Sequence, residues 1–125
     1  MDKWQAQDRF WNSFGIPAYD QNTEFTSGDQ PSYPHITYEA QAGILEQPLA
    51  LSASIWYRSG SWKEVSQKAD EILKAIKGGR VMPIDNGYLW FMVPDRTPFA
   101  QRVASGDDAI KRILISVEAE CLTAD

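Results

Sequence analysis

From residue 47 to residue 58 the chain alternates strictly. Leu49, Leu51, Ala53, Ile55 and Tyr57 fall on one side of an extended backbone; Ala50, Ser52, Ser54, Trp56 and Arg58 fall on the other. A period of two over this length predicts a strand with one face in a core. The same alternation predicts a strand over 110–121, where Ile113, Ile115, Val117 and Ala119 oppose Arg112, Leu114, Ser116, Glu118 and Glu120. A shorter strand is expected over 36–40, with Ile36, Tyr38 and Ala40 opposite Thr37 and Glu39. The stretch QAGILEQ before the 47–58 strand supplies a Gly-containing connection, so these two strands are expected to pair antiparallel. Two more short strands are predicted over 80–84 and 88–93, joined by Asp85-Asn86-Gly87, a strong tight-turn signal.

Two segments carry the helical period instead. Over 2–14, Trp4, Phe10, Trp11 and Phe14 recur near every 3.6 residues, with Gly15 as a stop and Pro17 beyond it. The second helix follows a Ser-Gly-Ser turn at 59–61. Ser61 and Glu64 have the spacing of a capping box, in which the hydroxyl accepts from the N3 amide and the carboxylate reaches back. Val65, Ala69, Ile72, Leu73 and Ile76 form its stripe, with Trp62 at the start and Gly78-Gly79 at the end. Glu64 with Lys68 and Asp70 with Lys74 are spaced as i,i+4 pairs on the solvent side. Segments 19–34 and 94–108 show neither period and contain Pro and Gly, which predicts long surface loops.

The order helix, strand, strand, helix, strand, strand, strand predicts an α+β fold: a mostly antiparallel sheet of four to five strands with two helices packed on one face. The whole of 1–125 is expected to form a single domain. The second sheet face is then wet, or covered by another chain.

Composition sharpens that alternative. Five Trp in 125 residues exceed what a core of this size normally houses, and Trp and Tyr are enriched where proteins meet. A net charge of −5 without a Lys/Arg cluster argues against tight binding of duplex nucleic acid. The lone Cys121 excludes an intramolecular disulfide and a Cys-based zinc site. The start, MDKWQAQDRFWNSF, lacks the apolar stretch of a signal peptide, and no apolar run approaches membrane-spanning length. A soluble product made in a reducing cytoplasm is expected.

Residues suited to chemistry are sparse. His35 has no HxH or HExxH partner and is expected to be structural or solvated. The serines lack a nucleophile elbow and a base. Asp107-Asp108 reads as a turn. Glu118 and Glu120 stand about 7 Å apart along one strand face, a spacing a glycosidase pair can use, although a solvated face is the expected role. Gly78-Gly79 follows a helix instead of preceding one, which does not suit a phosphate cradle. No catalytic residue, cofactor or metal site is expected. Among the aromatics, Tyr57, Trp62 and Phe91 are assigned to the core. Trp56, alternating with serines on the face away from the helices, is a candidate contact residue. Single-stranded nucleic acid would need more basic residues than Arg58 and Arg112 on that face.

The segments FWNSFGIPAYD, YPHITYE, LSASIWYRSGSWKEVSQKADEIL and DNGYLWF…PFAQR…IKRILISVEAE, taken in order, resemble the small neck and tail-completion proteins of long-tailed bacteriophages, the tail-terminator (head–tail joining) family. The resemblance spans nearly the full chain, and none of its motifs is catalytic. It implies a structural virion protein, not an enzyme, that forms a ring, commonly a hexamer, in the tail neck of a phage or prophage. Such a ring ends the tail tube and docks onto the head-completion or connector protein. It would be made in the bacterial host cytoplasm and reside in the virion. DNA would pass through its hole without specific binding, and an acidic wall suits that passage because carboxylates repel phosphate. No membrane partner is implied. A ring built from head-to-tail contacts needs two different complementary patches per subunit. Trp56, Arg58, Arg96, Phe99 and Arg102 are the expected protein-interface residues, since Arg and aromatic side chains dominate binding hot spots.

Two other classes compete. A small-ligand binding module or minor enzyme on the same scaffold would need a concave pocket, which Tyr38, Tyr57, His35 and Glu39 would line. A host-side toxin or immunity partner would also use an acidic, aromatic surface.

Overall fold

The computed structural model describes residues 1–21, 31–41 and 48–123. Helix α1 is Lys3–Trp11, prolonged by a 3-10 turn at Asn12–Phe14, and helix α2 is Lys63–Lys77. Strands β1 (Ala18–Asp20), β2 (His35–Tyr38), β3 (Leu49–Arg58), β4 (Arg80–Ile84), β5 (Gly87–Met92), β6 (Ala100–Val103) and β7 (Ile110–Thr123) form one sheet. Its order is β1-β2-β3-β7-β5-β4, with β6 also paired to β7. Neighbours run antiparallel except β1 and β2, which are parallel.

Strand β7, 14 residues long, organises the sheet. One edge takes the whole of β3, from Leu49 opposite Ala119 to Arg58 opposite Ile110. The other edge is divided. Strand β5 occupies its C-terminal part, Met92 lying opposite Glu118, and β6 its N-terminal part, Ala100 opposite Ile115. Residues 93–99 bulge out between these two stretches.

The expected four to five strands, mostly antiparallel, are not what forms: the sheet is mixed, has six to seven strands and curls into a half-barrel. The difference comes from β1 and β6. Strand β1 is three residues long, and β6 arises inside the segment expected to be the irregular loop 94–108. Neither shows an alternating apolar pattern, because each hangs on the edge of a longer strand and has no two-sided burial to encode. The rest of the expected 19–34 loop, over 22–30, lies outside the described residues, as does most of the QAGILEQ connection.

Both helices bury their stripes in one cluster against the same sheet face, built from Ile36, Leu51, Ile55, Leu89, Phe91, Ile113, Ile115 and Val117. From α2 come Val65, Ala69, Ile72 and Ile76, while Leu73 is half-buried. From the first helical segment come Phe10, Trp11 and Phe14; Trp4, expected in the same stripe, is 51% exposed. The Phe10 ring stacks on Phe91 with centroids 3.7 Å apart and meets Trp11 and Phe14 edge-on.

Polar links then fix α1 to the sheet. Its cap is a box between Asp2 and Gln5: the Asp2 carboxylate accepts from the Gln5 backbone N–H, and the Gln5 side chain accepts from the Asp2 N–H. The buried Gln7 side chain clasps the Gln41 backbone, donating to its carbonyl at 2.7 Å and accepting from its N–H at 3.0 Å. Asn12 holds Ala18 in the same two-way manner, and the Tyr38 hydroxyl donates to Asp8 at 2.6 Å. The Asn12 and Gln7 amides give Ala18 in β1 and Gln41, beyond β2, the backbone partners that a further strand would otherwise supply.

At α2 the expected capping box does not form. Trp62 occupies the N-cap position without a side-chain hydrogen bond, and Ser61 instead accepts from the Lys63 N–H. Lys68 pairs with Glu71, not Glu64, and donates to the Phe14 carbonyl. That second bond joins the two helical segments, which a sequence-local pairing rule does not anticipate. The β4–β5 turn is tight, as expected, with Asn86 at φ 68°.

Truncating Phe10 to Ala removes three ring contacts from a fully buried position. The expected loss is about 3–5 kcal/mol, read in urea unfolding as a lower midpoint with an unchanged slope.

Candidate interaction surface

Because β-strand side chains alternate, burying Ile113, Ile115, Val117 and Ala119 under the helices turns Arg112, Leu114, Ser116, Glu118, Glu120 and Leu122 the other way. Cross-strand register extends this second, helix-free face. Arg112 lies opposite Trp56, which lies opposite His35; Leu114 lies opposite Ser54, which lies opposite Thr37. At the other end Glu120 lies opposite Trp90, which lies opposite Val81; Leu122 lies opposite Tyr88, which lies opposite Pro83. The middle is small and only weakly polar: Ala50, Ser52, Ser54 and Ser116.

One end is a ladder of rings and guanidinium groups. Trp56 stacks nearly parallel to His35, whose ring also meets Tyr33 at 5.0 Å. Arg112 lies over Trp56 at 4.9 Å and Arg58 over Tyr33 at 5.0 Å. Hydrogen bonds lock the arrangement: Trp56 Nε1 donates to Thr37 Oγ1 at 2.9 Å, and Arg112 Nε donates to Ser54 Oγ at 2.9 Å. Cation–π contacts of this kind contribute about 0.5–1 kcal/mol each at exposed sites. They also hold two cationic groups in fixed positions. Beside them a cleft of about 580 Å³ runs between Tyr33, Pro34, Tyr57 and Arg58.

The other end is apolar with an acidic margin. Val81, Tyr88, Trp90 and Leu122 are 47%, 54%, 40% and 42% exposed, and cross-strand pairing makes them neighbours, with the exposed Pro83 among them. Single exposed apolar residues are ordinary; a contiguous group on one face marks a contact site. Glu118 and Glu120 border it, both half-buried.

Of the five residues expected at an interface, Trp56 and Arg58 sit together at the ring-and-guanidinium end. Arg102 shares that end of the sheet but turns to the helix side, over Trp62 at 5.0 Å, with Lys111 on the same ring at 5.6 Å. Arg96 is exposed in the 93–99 excursion. Phe99 is half-buried against the core, and its carbonyl accepts from the Ser116 N–H. The patch around Trp90 was missed because Val81, Tyr88 and Trp90 read from sequence as ordinary short-strand residues. Their alternation against Met82, Leu89 and Phe91 carried the signal.

The residues proposed for a ligand pocket do not converge. Tyr38 and Tyr57 belong to the helix-covered face and His35 to the open one. Burial pushes the Tyr57 hydroxyl pKa up, and burial together with Asp8 does the same for Tyr38, so both stay neutral. Among the described residues no three His, Cys, Asp or Glu side chains gather as a metal ion requires. Among them, too, no helix is long and apolar enough to cross a membrane. Cys121 is a buried free thiol.

No protein-family model matches the chain, and none of the curated proteins matches it. Among solved structures, one chain superposes with a TM-score of 0.56 at 17% identity, covering 97% of this chain and 91% of its own length. At that identity the likeness concerns the fold alone; it shows that the curled architecture occurs elsewhere at nearly full length.

His35 is buried, and loss of hydration lowers its pKa more than the Ser32 carbonyl, 3.2 Å from Nδ1, raises it. The unfolded chain therefore binds this proton first as pH drops below about 6.5. Folding stability from this group is complete above that pH and declines toward the lowered native value. Thermal melts between pH 7 and pH 5 should show a steeper fall for the wild-type protein than for His35→Asn.

Proposed function

We propose that the protein is a structural subunit of a phage or prophage tail neck, of the tail-terminator kind. It assembles into a ring, commonly a hexamer in that family, that ends the tail tube and meets the head connector. The observation that carries this reading is the contiguous exposed patch of Val81, Pro83, Tyr88, Trp90 and Leu122 on a sheet face that the protein's own helices leave bare. Such a surface is costly to leave wet: full burial of a large apolar side chain is worth about 1.5–3 kcal/mol, and these side chains are only about half covered. A subunit that spends its working life in an assembly recovers that energy at the contact.

The face supports shape-based work. Its bulky groups are held by cross-strand pairing and, at one end, by ring stacking and hydrogen bonds, so little side-chain freedom is lost on docking. The net charge of −5 supports the same reading, because an acidic ring lets DNA slide through its hole without adhering. The virion is the corresponding location.

Light scattering of the purified protein, alone and with isolated tail tubes, is the direct test. The expected outcome is a mass several times that of the 14.1 kDa chain, either free in solution or bound at tube ends. A strict monomer at high concentration that also ignores tubes would remove the reading.

A further inference from the structure

The two ends of the helix-free face are chemically complementary. At one end, Glu118 and Glu120 flank an apolar surface, and among the described residues neither makes an ion pair or a side-chain hydrogen bond. At the other, among the described residues, Arg58 makes no side-chain hydrogen bond and Arg112 uses only Nε, on Ser54, leaving its terminal N–H groups open to a partner. Half-buried carboxylates without partners and oriented guanidinium groups without carboxylates are matched needs.

They cannot meet within one subunit. Arg112 and Glu120 lie eight residues apart on the same strand, a separation of roughly 26 Å along β7. Satisfying one end with the other takes a second copy. The residues between them, Ala50, Ser52, Ser54 and Ser116, are small, and Ala50, Ser52 and Ser116 line a shallow cleft with Pro94 and Thr97 of the 93–99 span. The acidic groups nearest the guanidinium end do not cancel it: Asp107 and Asp108 belong to the turn before β7, and the Asp107 carboxylate accepts from the Ala109 N–H at 2.9 Å. Glu64 lies across the cleft from the stacked Arg58.

We propose that these two ends are the halves of one self-interface: the Trp90–Glu120 end of each copy receives the Trp56–Arg112 end of the next. The inference rests on the assembly reading and identifies the surfaces it uses. Trp90 and Tyr88 supply the buried area, and Arg58 and Arg112 pair with Glu118 and Glu120 at its margin, the residue types that concentrate binding energy. Because the sheet is curled, its two ends do not look the same way. Successive copies are therefore rotated relative to one another, and a head-to-tail contact of this sort closes into a ring when the rotation divides a full turn.

Charge exchange tests it. One variant carries Glu118→Arg with Glu120→Arg, the other Arg58→Glu with Arg112→Glu. Each alone places like charges opposite one another and should weaken self-association by about a hundredfold or more. Mixed in equal amounts, they should restore the wild-type mass with both variants present one to one. Circular dichroism and thermal melts check folding; if the Arg112 exchange unfolds the subunit, Arg58→Glu at its exposed position replaces that variant. Where assembly occurs only on tail tubes, the same comparison is made on tube ends. Folded variants that each assemble like the wild type overturn the inference and leave the assembly reading standing. So do folded variants that are separately monomeric and stay so when mixed. A wild-type protein that never assembles, alone or on tubes, removes both.

Discussion

One strand bears the architecture. Strand β7 pairs with the whole of β3 from Ile110 to Ala119, and its opposite edge is shared by β5 and β6. Its odd-numbered residues from Ile113 to Cys121 lie on the helix-covered face, while its even-numbered residues from Arg112 to Leu122 form the spine of the open face. Period-two geometry ties these roles together. A register slip of one residue would bury Arg112 and Glu120 and expose Ile113 and Ile115. The apolar core thus dictates the open face: once the isoleucines are buried, the spacing and order of the outward groups are set.

The two faces are stabilised by different means. The helix side relies on burial and on the stacked Phe10 and Phe91 rings, with amide side chains from α1 standing in for missing strand partners. Trp11 is the exception: its Nε1 is buried without a hydrogen-bond partner among the described residues. Stacking with Tyr38 keeps the ring in place, and the indole N–H goes unmatched. The open side has no core to rely on. Its Trp56 end is held by contacts between cations and rings, and its Trp90 end only by the sheet beneath it.

Long elements with two-sided chemistry were legible in the sequence. The alternation over 47–58 and 110–121 located β3 and β7 within a residue or two, and the stripe from Val65 to Ile76 located α2. It also placed Trp56 on the face away from the helices. What escaped were features decided by distant partners. Strands β1 and β6 exist because a neighbour offers an edge. Asp2 and Gln5 have the spacing of a capping box that was not assigned, whereas Ser61 and Glu64 match the pattern but form no box. Trp4 kept the helical period and is still half exposed, lining a shallow cleft with Ile84 and Asp85 at the end of β4. The Trp90 patch needed the pairing of β4, β5 and β7, three separate segments, before its side chains became neighbours.

The 93–99 excursion has one more consequence. The chain leaves the β7 ladder after Met92 and rejoins it at Ala100, with Val93 and Phe99 packed on the core at either end, while residues 95–98 between them are exposed. Residues can be gained or lost there without moving either anchor, and doubling such a span costs only about 0.6 kcal/mol in closure entropy. Evolution can therefore lengthen, shorten or rewrite this one protrusion, which carries Arg96, while the scaffold around it stays constant. In a repeating assembly of the kind proposed, every such change would be repeated in each copy, so a small edit would alter the whole rim.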